Sequence, residues 1–382
     1  MGIIDCGVES ASHNPLSKAI LDIIDRNKET TIDFLMITHL DWDHISGLSD
    51  LILDNRILKR IERIYCNGAE FRTLWEVAKK TLRPGTGVAT NVSSERKLTA
   101  LGALAETLRL AALKRQDLHF ELVAPSGSMP SVYPVKLEQK LLGEVSLSLF
   151  SPSQALRDRA FSVLSSLSEP NSDLSTFLGS MLESKVDWNA ASAVVALDYK
   201  GRRVLFGGDA NILTWKEISN RIASLSQIEC DVVIAWHHGA RLGFSSGRDY
   251  DSSIWEGVLG KNRDDHKYVL ISHGCGRYGH PHIETVTSVV KNDGLIYCTQ
   301  LHRKREVSLS ELPGDCEKLG IMGSGWDGED VDVIQTSNAC SGNITVTIAD
   351  DGLVSVNCAG PRGPGELQPG EFCCLYSGPL TA

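Results

Sequence analysis

The sequence predicts an α/β protein with two β-sheets flanked by helices. Short apolar runs, typical of buried strands, alternate along the chain with stretches whose apolar residues have helical spacing. A hairpin signal at residues 192–206 interrupts this alternation, which argues against one all-parallel sheet. With 382 residues, 42% of them hydrophobic, the chain is long enough to bury a large core.

The N-terminal third predicts one amphipathic helix, two buried strands and a helical stretch. The helix, residues 14–28, begins with Asn14 as N-cap and Pro15 in its first turn. One of its faces carries Leu16, Ala19, Ile20, Ile23 and Ile24. Apolar runs predict strands at 32–38 and 61–66, and the helical stretch between them ends near residue 53.

The pattern is weaker between residues 70 and 190 and clear again beyond them. The weaker region predicts a helix at 95–115 and strands at 119–124 and 145–150. After the hairpin we expect helices at 212–223 and 283–291, and strands at 231–236, 268–272 and 295–299. Beyond residue 306 the chain becomes rich in glycine and polar residues, with one hairpin signal at 343–358. We therefore predict a main domain at 1–305 and an appended segment at 306–382.

Composition restricts the compartment and the partners of the protein. The mean hydropathy is −0.09, and no apolar run approaches the roughly 18–20 residues that cross a membrane, so no membrane association is expected. The ten cysteines form no C-x-x-C pair, and no basic and apolar leader opens the chain, which together predict a cytoplasmic protein with reduced thiols. The net charge of −10 argues against a broad basic surface for nucleic acid, but not against an enzyme whose metal ions attract phosphate.

Four potential metal ligands follow the second predicted strand within six residues. They are His39, Asp41, Asp43 and His44. Imidazole nitrogens and carboxylate oxygens suit Zn²⁺, Mn²⁺ or iron ions, and loops at strand ends are where a rigid scaffold presents reactive groups. A solvated acidic turn is the alternative interpretation of this pattern.

Residues 38–47, THLDWDHISG, resemble the H-x-[HD]-x-D-H-x-x-G signature of the metallo-β-lactamase superfamily. Five further segments resemble motifs of that family in the same order: IIDCG at 3–7, NAASAVV at 189–195, LFGGD at 205–209, HHGA at 237–240 and SHGCGRYGHP at 272–281. The last of these segments resembles the branch that contains the hydrolase domain of bacterial DNA-uptake channels and its stand-alone relatives. The resemblance covers most of residues 2–300 and implies a four-layer αββα sandwich, here with a short β-rich C-terminal appendage.

The resemblance implies two divalent metal ions, zinc or manganese, as cofactors. His39 and Asp41 would hold the first ion, Asp43 and His44 the second, and Asp209 would bridge both. We assign His237 to the second ion as well, although the sequence does not decide between His237 and His238. Asp41 stands where many relatives have histidine, which makes the first site harder and favours Mn²⁺. His119 is a weaker candidate for a further ligand.

The resemblance also implies roles in catalysis and in substrate binding. We count Asp43, His238 and His280 as catalytic, because the histidine that does not bind metal, or His280, would protonate the leaving oxygen. Arg241, Arg277 and Tyr278 are the expected contacts of a substrate phosphate.

The expected function is hydrolysis by a water molecule that two metal ions activate. The leading hypothesis is a phosphodiesterase or nuclease that acts on nucleic acid or a nucleotide-like phosphodiester and belongs to a bacterial defence or multi-protein system. The first alternative is hydrolysis of a small ester, such as a cyclic nucleotide or a phosphocholine ester. The second is a partner-gated or non-catalytic subunit. The strands that normally precede the first motif are absent, so a protein partner is expected at the N-terminal edge or at 306–382, unless the chain is truncated.

Overall fold

The structure is a computed structural model, and the residues that it describes fall mainly in two compact units. The described residues are 1–7, 15–66, 111, 114–115, 119–122, 135–137, 144–153, 156, 189–242, 252–260, 267–272, 281–298, 305–306, 322–323 and 344–358. One unit comprises residues 1–135, 140–142 and 149–193, and the other comprises 136–139, 143–148 and 194–382.

The first unit contains a parallel sheet of four strands. They are β1 (Gly2–Ile4), β2 (Phe34–Ile37), β3 (Arg63–Cys66) and β4 (His119–Leu122), in the order β1-β2-β3-β4. Every residue of β2 is buried, as its uninterrupted apolar sequence predicts for a central parallel strand.

Four helices accompany this sheet: α1 (Pro15–Arg26), α2 (Trp42–Ile45), α3 (Leu48–Leu53) and α4 (Asn55–Leu58). Helix α1 confirms the helix predicted at 14–28, and its residues Ile20 and Ile24 are buried. Ile23 differs from the prediction because it is 42% exposed. The buried stripe of α1 is therefore narrower than the apolar face in its sequence.

A second sheet has seven strands in the order β11-β10-β9-β8-β7-β6-β5. Strands β5 (Val135–Leu137) and β6 (Ser146–Ser151) precede β7 (Val194–Tyr199), β8 (Arg202–Phe206), β9 (Val232–Ile234), β10 (Lys267–Ile271) and β11 (Gly294–Cys298). Strands β7 and β8 form the predicted antiparallel hairpin, whereas β8, β9, β10 and β11 run parallel. Because both directions occur, the mixed α/β class predicted from the sequence is confirmed.

The second unit also contains helices α5 (Ile212–Arg221), α6 (Ser252–Leu259) and α7 (Ile283–Lys291). Its core includes three fully buried tryptophans, with ring centroids 4.5 Å apart for Trp215 and Trp236 and 3.9 Å apart for Trp236 and Trp255. Stacked aromatic rings of this size contribute much of the apolar area that a core buries. They hold Trp236, the residue before the histidine pair, in place.

The C-terminal residues form two short antiparallel pairs, β12 (Arg305–Glu306) with β13 (Met322–Gly323) and β14 (Ile344–Ile348) with β15 (Val354–Cys358). The second pair confirms the hairpin predicted at 343–358. Arg202 Nε donates to the Gly352 carbonyl at 2.7 Å, and Tyr268 Oη donates to the Val354 carbonyl at 3.5 Å, so this hairpin contacts β8 and β10 within the second unit. The domain boundary at 305/306 stays a prediction.

The helix predicted at 95–115 lies almost entirely outside the described residues. Among the residues that the structure does describe, no helix has both the length and the apolarity needed to cross a membrane.

Candidate metal centre

The first group of candidate ligands lies in the loop and short helix that follow β2, residues 38–45, which we call the signature loop. All four residues of strand β2 are apolar and buried in the core, and the strand ends at Ile37. Strand β1 runs parallel beside it, with Ile4 opposite Met36, so Asp5 emerges next to the beginning of the signature loop. The parallel pairing therefore brings together residues more than 30 positions apart in the sequence.

Asp5 contacts three polar groups of the signature loop. Its Oδ1 accepts a hydrogen bond from the Thr38 amide at 2.8 Å, and its Oδ2 accepts one from the Thr38 hydroxyl at 2.7 Å. The same Oδ2 lies 2.8 Å from Nδ1 of His44. An ionised carboxylate has no proton to donate, so Nδ1 of His44 carries the proton and Nε2 keeps its lone pair.

A similar argument fixes the tautomer of His39, which is 2% exposed. Its Nδ1 lies 3.1 Å from the Thr38 hydroxyl, and that hydroxyl already donates its single proton to Asp5. The Thr38 hydroxyl therefore has only a lone pair to offer, which favours a proton on Nδ1 and the lone pair of His39 on Nε2. The Ser192 hydroxyl also lies near Nδ1, at 3.5 Å. Nε2 lies 3.8 Å from Oδ2 of Asp41, and the His39 and His44 rings are 4.0 Å apart between centroids.

The segment from Asp5 to Gly7 runs against the backbone of the signature loop. The Cys6 amide donates to the His44 carbonyl at 2.9 Å, and the Gly47 amide donates to the Cys6 carbonyl at 2.8 Å. A Cβ atom on Gly7 would lie 1.3 Å from the Asp43 carbonyl oxygen, so only glycine fits there. Burial raises the pKa of the Cys6 thiol, with a smaller contribution from the Asp5 carboxylate, so Cys6 is neutral at pH 7.

The second group of candidate ligands lies after β8 and β9 in the other unit. Asp209 follows the end of β8 and is 3% exposed. Its Oδ2 lies 3.8 Å from Nε2 of His237, and its Oδ1 lies 3.6 Å from Nε2 of His238. Gly207 allows the end of β8 to lie close to Trp236, the residue before His237, because a Cβ atom at position 207 would lie 2.7 Å from the Cβ of Trp236.

The two histidines lie in the turn Trp236–Gly239 after β9, and we call this turn together with its C-cap Ala240 the His-His turn. Both have left-handed backbones, with φ 47° and ψ 45° at His237 and φ 54° and ψ 27° at His238. This conformation costs a residue with a side chain about 1–2 kcal/mol, so two in succession persist only where the surroundings hold them.

The ring of His238 is oriented by the backbone after β10, because its Nδ1 contacts the Ser272 carbonyl oxygen. A carbonyl oxygen only accepts, so Nδ1 carries the proton and Nε2 is the nitrogen that faces Asp209 with a lone pair. The sequence left open which histidine of the pair binds metal, and this contact favours His238.

Of the residues predicted to bind substrate or to protonate the leaving group, some lie within the described residues and others lie outside them. Arg241 forms an ion pair with Glu284 of α7, with Nε and Oε2 2.7 Å apart. His280, Arg277 and Tyr278 lie outside the described residues, and His119 is placed only as a residue of β4. Three contributions were not predicted: the three contacts of Asp5, the Ser272 carbonyl and Glu284. The D-x-G motif at 5–7 and the segment at 272–281, which begins with Ser272, were the sequence signals for the first two of them.

Comparisons with known proteins add one structural similarity. No protein-family model matches the chain, and no curated protein matches it. A solved structure that matches is that of Zn²⁺-bound PqqB from Methylobacterium extorquens, which is 11% identical in sequence. The match covers 53% of this chain and 45% of PqqB, with a TM-score of 0.25. The chain thus spans less than half of the length of that protein.

Proposed function

We propose that the protein is a metal-dependent hydrolase in which the signature loop and the second ligand group bind divalent ions together. In this proposal, which extends the family resemblance, Asp43, His44, Asp209 and His238 would hold one ion, and His39, Asp41 and Asp209 would hold the other. The set of imidazole nitrogens and carboxylate oxygens fits Zn²⁺, Mn²⁺ or iron. Asp209 would be shared by both ions, as the resemblance implies.

The observation that carries this proposal is the orientation of three histidine rings. In His39, His44 and His238 an oxygen atom contacts Nδ1, which leaves Nε2 with the lone pair. Metal-binding histidines are held in this way, with the second ring nitrogen donating to a carboxylate, carbonyl or other oxygen. Within each unit these Nε2 atoms lie beside a carboxylate: His39 beside Asp41, and His238 beside Asp209.

When bound, divalent ions lower the pKa of a water molecule and neutralise negative charge on the ester oxygens. The protein's own residues then have distinct roles. Asp5 and the Ser272 carbonyl hold the ligand rings, and the signature loop and the His-His turn fix the ligand positions. His237, with Nε2 3.8 Å from Asp209, remains to deliver a proton to the leaving oxygen. The sequence-based assignment gave His237 and His238 the reverse roles.

For the substrate we propose a phosphodiester of nucleic acid or of a nucleotide. The support is the resemblance of residues 272–281 to the DNA-uptake branch, which also implies the αββα sandwich. The net charge of −10 is consistent with a cleft in which metal ions, rather than a basic surface, attract phosphate.

Metal analysis of protein purified without chelator tests the proposal. We expect about one to two equivalents of Zn²⁺ or Mn²⁺ in the wild type and a clear loss in Asp209→Ala. The matched control is Asp198→Ala, since Asp198 is an aspartate of the same sheet whose partner is Arg203, 2.7 Å away. Full metal content in Asp209→Ala, or no bound metal in the wild type, would refute the site.

The substrate class is tested with a panel in Mn²⁺ and in Zn²⁺. The panel contains bis-(p-nitrophenyl) phosphate, linear DNA, RNA, a cyclic dinucleotide and a phosphocholine ester. Hydrolysis of DNA or RNA that Asp209→Ala lacks supports a nuclease. Hydrolysis of the small esters alone supports the small-ester alternative, and a metal-loaded protein inactive on the whole panel favours a partner-gated subunit.

A further inference from the structure

The His-His turn has an unfavourable backbone, and contacts from elsewhere in the second unit hold it. On one side the His237 amide donates to the Gly208 carbonyl at 2.7 Å, which ties the turn to the end of β8. Within the turn the Ala240 amide donates to the His237 carbonyl at 2.8 Å. The first bond holds the amide of His237, and the second spans His238 and Gly239.

On the other side the turn is held by residues 281–285, which lead into α7 and which we call the clamp. The His282 amide donates to the Gly239 carbonyl at 2.9 Å, and the buried Thr285 hydroxyl donates to the Ala240 carbonyl at 3.1 Å. A Cβ atom on Gly239 would lie 2.8 Å from the Cβ of Pro281, so the two segments are in close contact.

The clamp extends to the next residue through a charge pair. Glu284 lies in the first turn of α7, where the helix dipole favours a carboxylate. Its Oε2 is 2.7 Å from Nε of Arg241, and the two side chains are only 31% and 27% exposed. Three successive residues after the histidines, at 239, 240 and 241, are therefore held by the clamp. An ion pair shielded to this degree is screened less than a surface pair.

We propose that Glu284 is a positioning residue of the metal centre: through Arg241 it holds the His-His turn so that both Nε2 atoms face Asp209. The expected effect of Glu284 on metal binding rests on the proposed function, whereas its effect on the His-His turn does not. It also gives Arg241 a different role from the predicted phosphate contact, since its charge is engaged by Glu284.

Glu284→Gln tests this inference, because it removes the charge and keeps the size of the side chain. The matched control is Glu217→Gln on α5, whose partner Arg221 lies 3.8 Å away in a similarly shielded pair. Two quantities are measured on the full chain: amide hydrogen exchange of residues 236–242 without metal, and the dissociation constant of Mn²⁺. We expect exchange about tenfold faster in Glu284→Gln, and Mn²⁺ binding about tenfold weaker. The control leaves both at the wild-type value.

The two measurements separate this inference from the proposed function. Wild-type exchange in Glu284→Gln overturns the clamp, and faster exchange with unchanged Mn²⁺ affinity overturns its role at the metal centre. If the wild type binds no Mn²⁺ while exchange still accelerates, the proposed function fails and the clamp stands. Should Glu284→Gln not fold, Glu284→Asp retains the charge at a greater distance. The clamp then predicts exchange about threefold faster than wild type, and a wild-type rate would overturn it.

Discussion

At the scale of single residues, Asp5 contacts candidate ligands of the signature loop without belonging to the proposed ligand set. It binds the amide and the hydroxyl of Thr38 and the Nδ1 atom of His44. Through the Thr38 hydroxyl it also favours a proton on Nδ1 of His39. One side chain thus acts on the tautomers of two candidate ligands, so a substitution there would change the proposed metal centre while leaving the candidate ligands themselves intact.

We predict that Asp5→Asn weakens metal binding about 10- to 100-fold, the usual effect of losing a partner of a ligand histidine. An amide has one acceptor oxygen instead of two, so its NH₂ group would face a proton of Thr38 or of His44. Calorimetric titration with Mn²⁺ or Zn²⁺ measures the change. The control is Asp25→Asn on α1, an exposed carboxylate paired with Lys28 at 2.7 Å, which should bind metal like the wild type. Unchanged affinity in Asp5→Asn would contradict the role of Asp5.

At the scale of elements, the close approach of β8 to the His-His turn brings Asp209 to the histidines. Gly207 lies against the backbone and Cβ of Trp236, and Trp236 stacks on Trp255 with 3.9 Å between ring centroids. Because the tryptophans are fully buried, Trp236 has little space to move away. The end of β8, which carries Asp209, can therefore lie this close to the His-His turn only because residue 207 has no side chain.

We predict that Gly207→Ala destabilises the protein by about 1–3 kcal/mol, as overpacking does, and also weakens metal binding. The comparison is Gly201→Ala in the β7–β8 turn, where φ is 75° and a Cβ atom meets nothing within 4 Å. That variant should lose only about 1–2 kcal/mol from its left-handed backbone and bind metal normally. Denaturant unfolding and metal titration of both variants make the comparison. Equal metal affinity in the two would show that the approach of β8 does not position Asp209.

The attachment of the β14–β15 hairpin also depends on contacts between elements. Arg202 donates from Nε to the Gly352 carbonyl at 2.7 Å and from Nη1 to Asp231 at 3.1 Å. We predict that Arg202→Met destabilises the protein by about 2 kcal/mol and makes residues 344–358 accessible to protease. Arg56→Met is the control, because Arg56 is 59% exposed in its pair with Asp54 and such pairs contribute about 0–1 kcal/mol. Proteolysis at the wild-type rate in Arg202→Met would contradict this prediction.

At the scale of the whole molecule, the net charge of −10 would oppose the approach of an anionic substrate such as the proposed phosphodiester. Asp41, Asp43 and Asp209 belong to the proposed ligand set, so part of this charge would be neutralised by bound ions. Bound metal should also stabilise the folded chain, since the unfolded chain lacks the assembled site.

We predict that Mn²⁺ at 100 times its dissociation constant stabilises the chelator-treated protein by about 2.7 kcal/mol, and thereby raises its Tm. Thermal unfolding after EDTA treatment, with and without added Mn²⁺, measures the shift. Asp209→Ala should show no shift over the same concentrations. A shift of equal size in that variant would mean that the stabilising ion binds elsewhere.

The sequence by itself determined the features that arise from local periodicity and turn chemistry. It predicted helix α7, both hairpins and the strands around them. These elements depend on the spacing of apolar residues and on turn residues, and both can be recognised from residues that are neighbours in the sequence. It also predicted the chemical character of the candidate site, since histidine and aspartate side chains after buried strands offer the nitrogen and oxygen atoms that bind metal ions.

The tertiary structure alone decided which nitrogen atom of each candidate ligand histidine carries a proton and which keeps the lone pair that could bind metal. The pairing of Asp5 with His44 joins residues 39 positions apart, and the contact of His238 with Ser272 joins residues 34 positions apart. The pair of Arg241 and Glu284 likewise forms only when α7 packs beside the His-His turn. A tautomer, an ion pair or a close glycine contact depends on distances across the fold, and no local pattern of residues contains those distances.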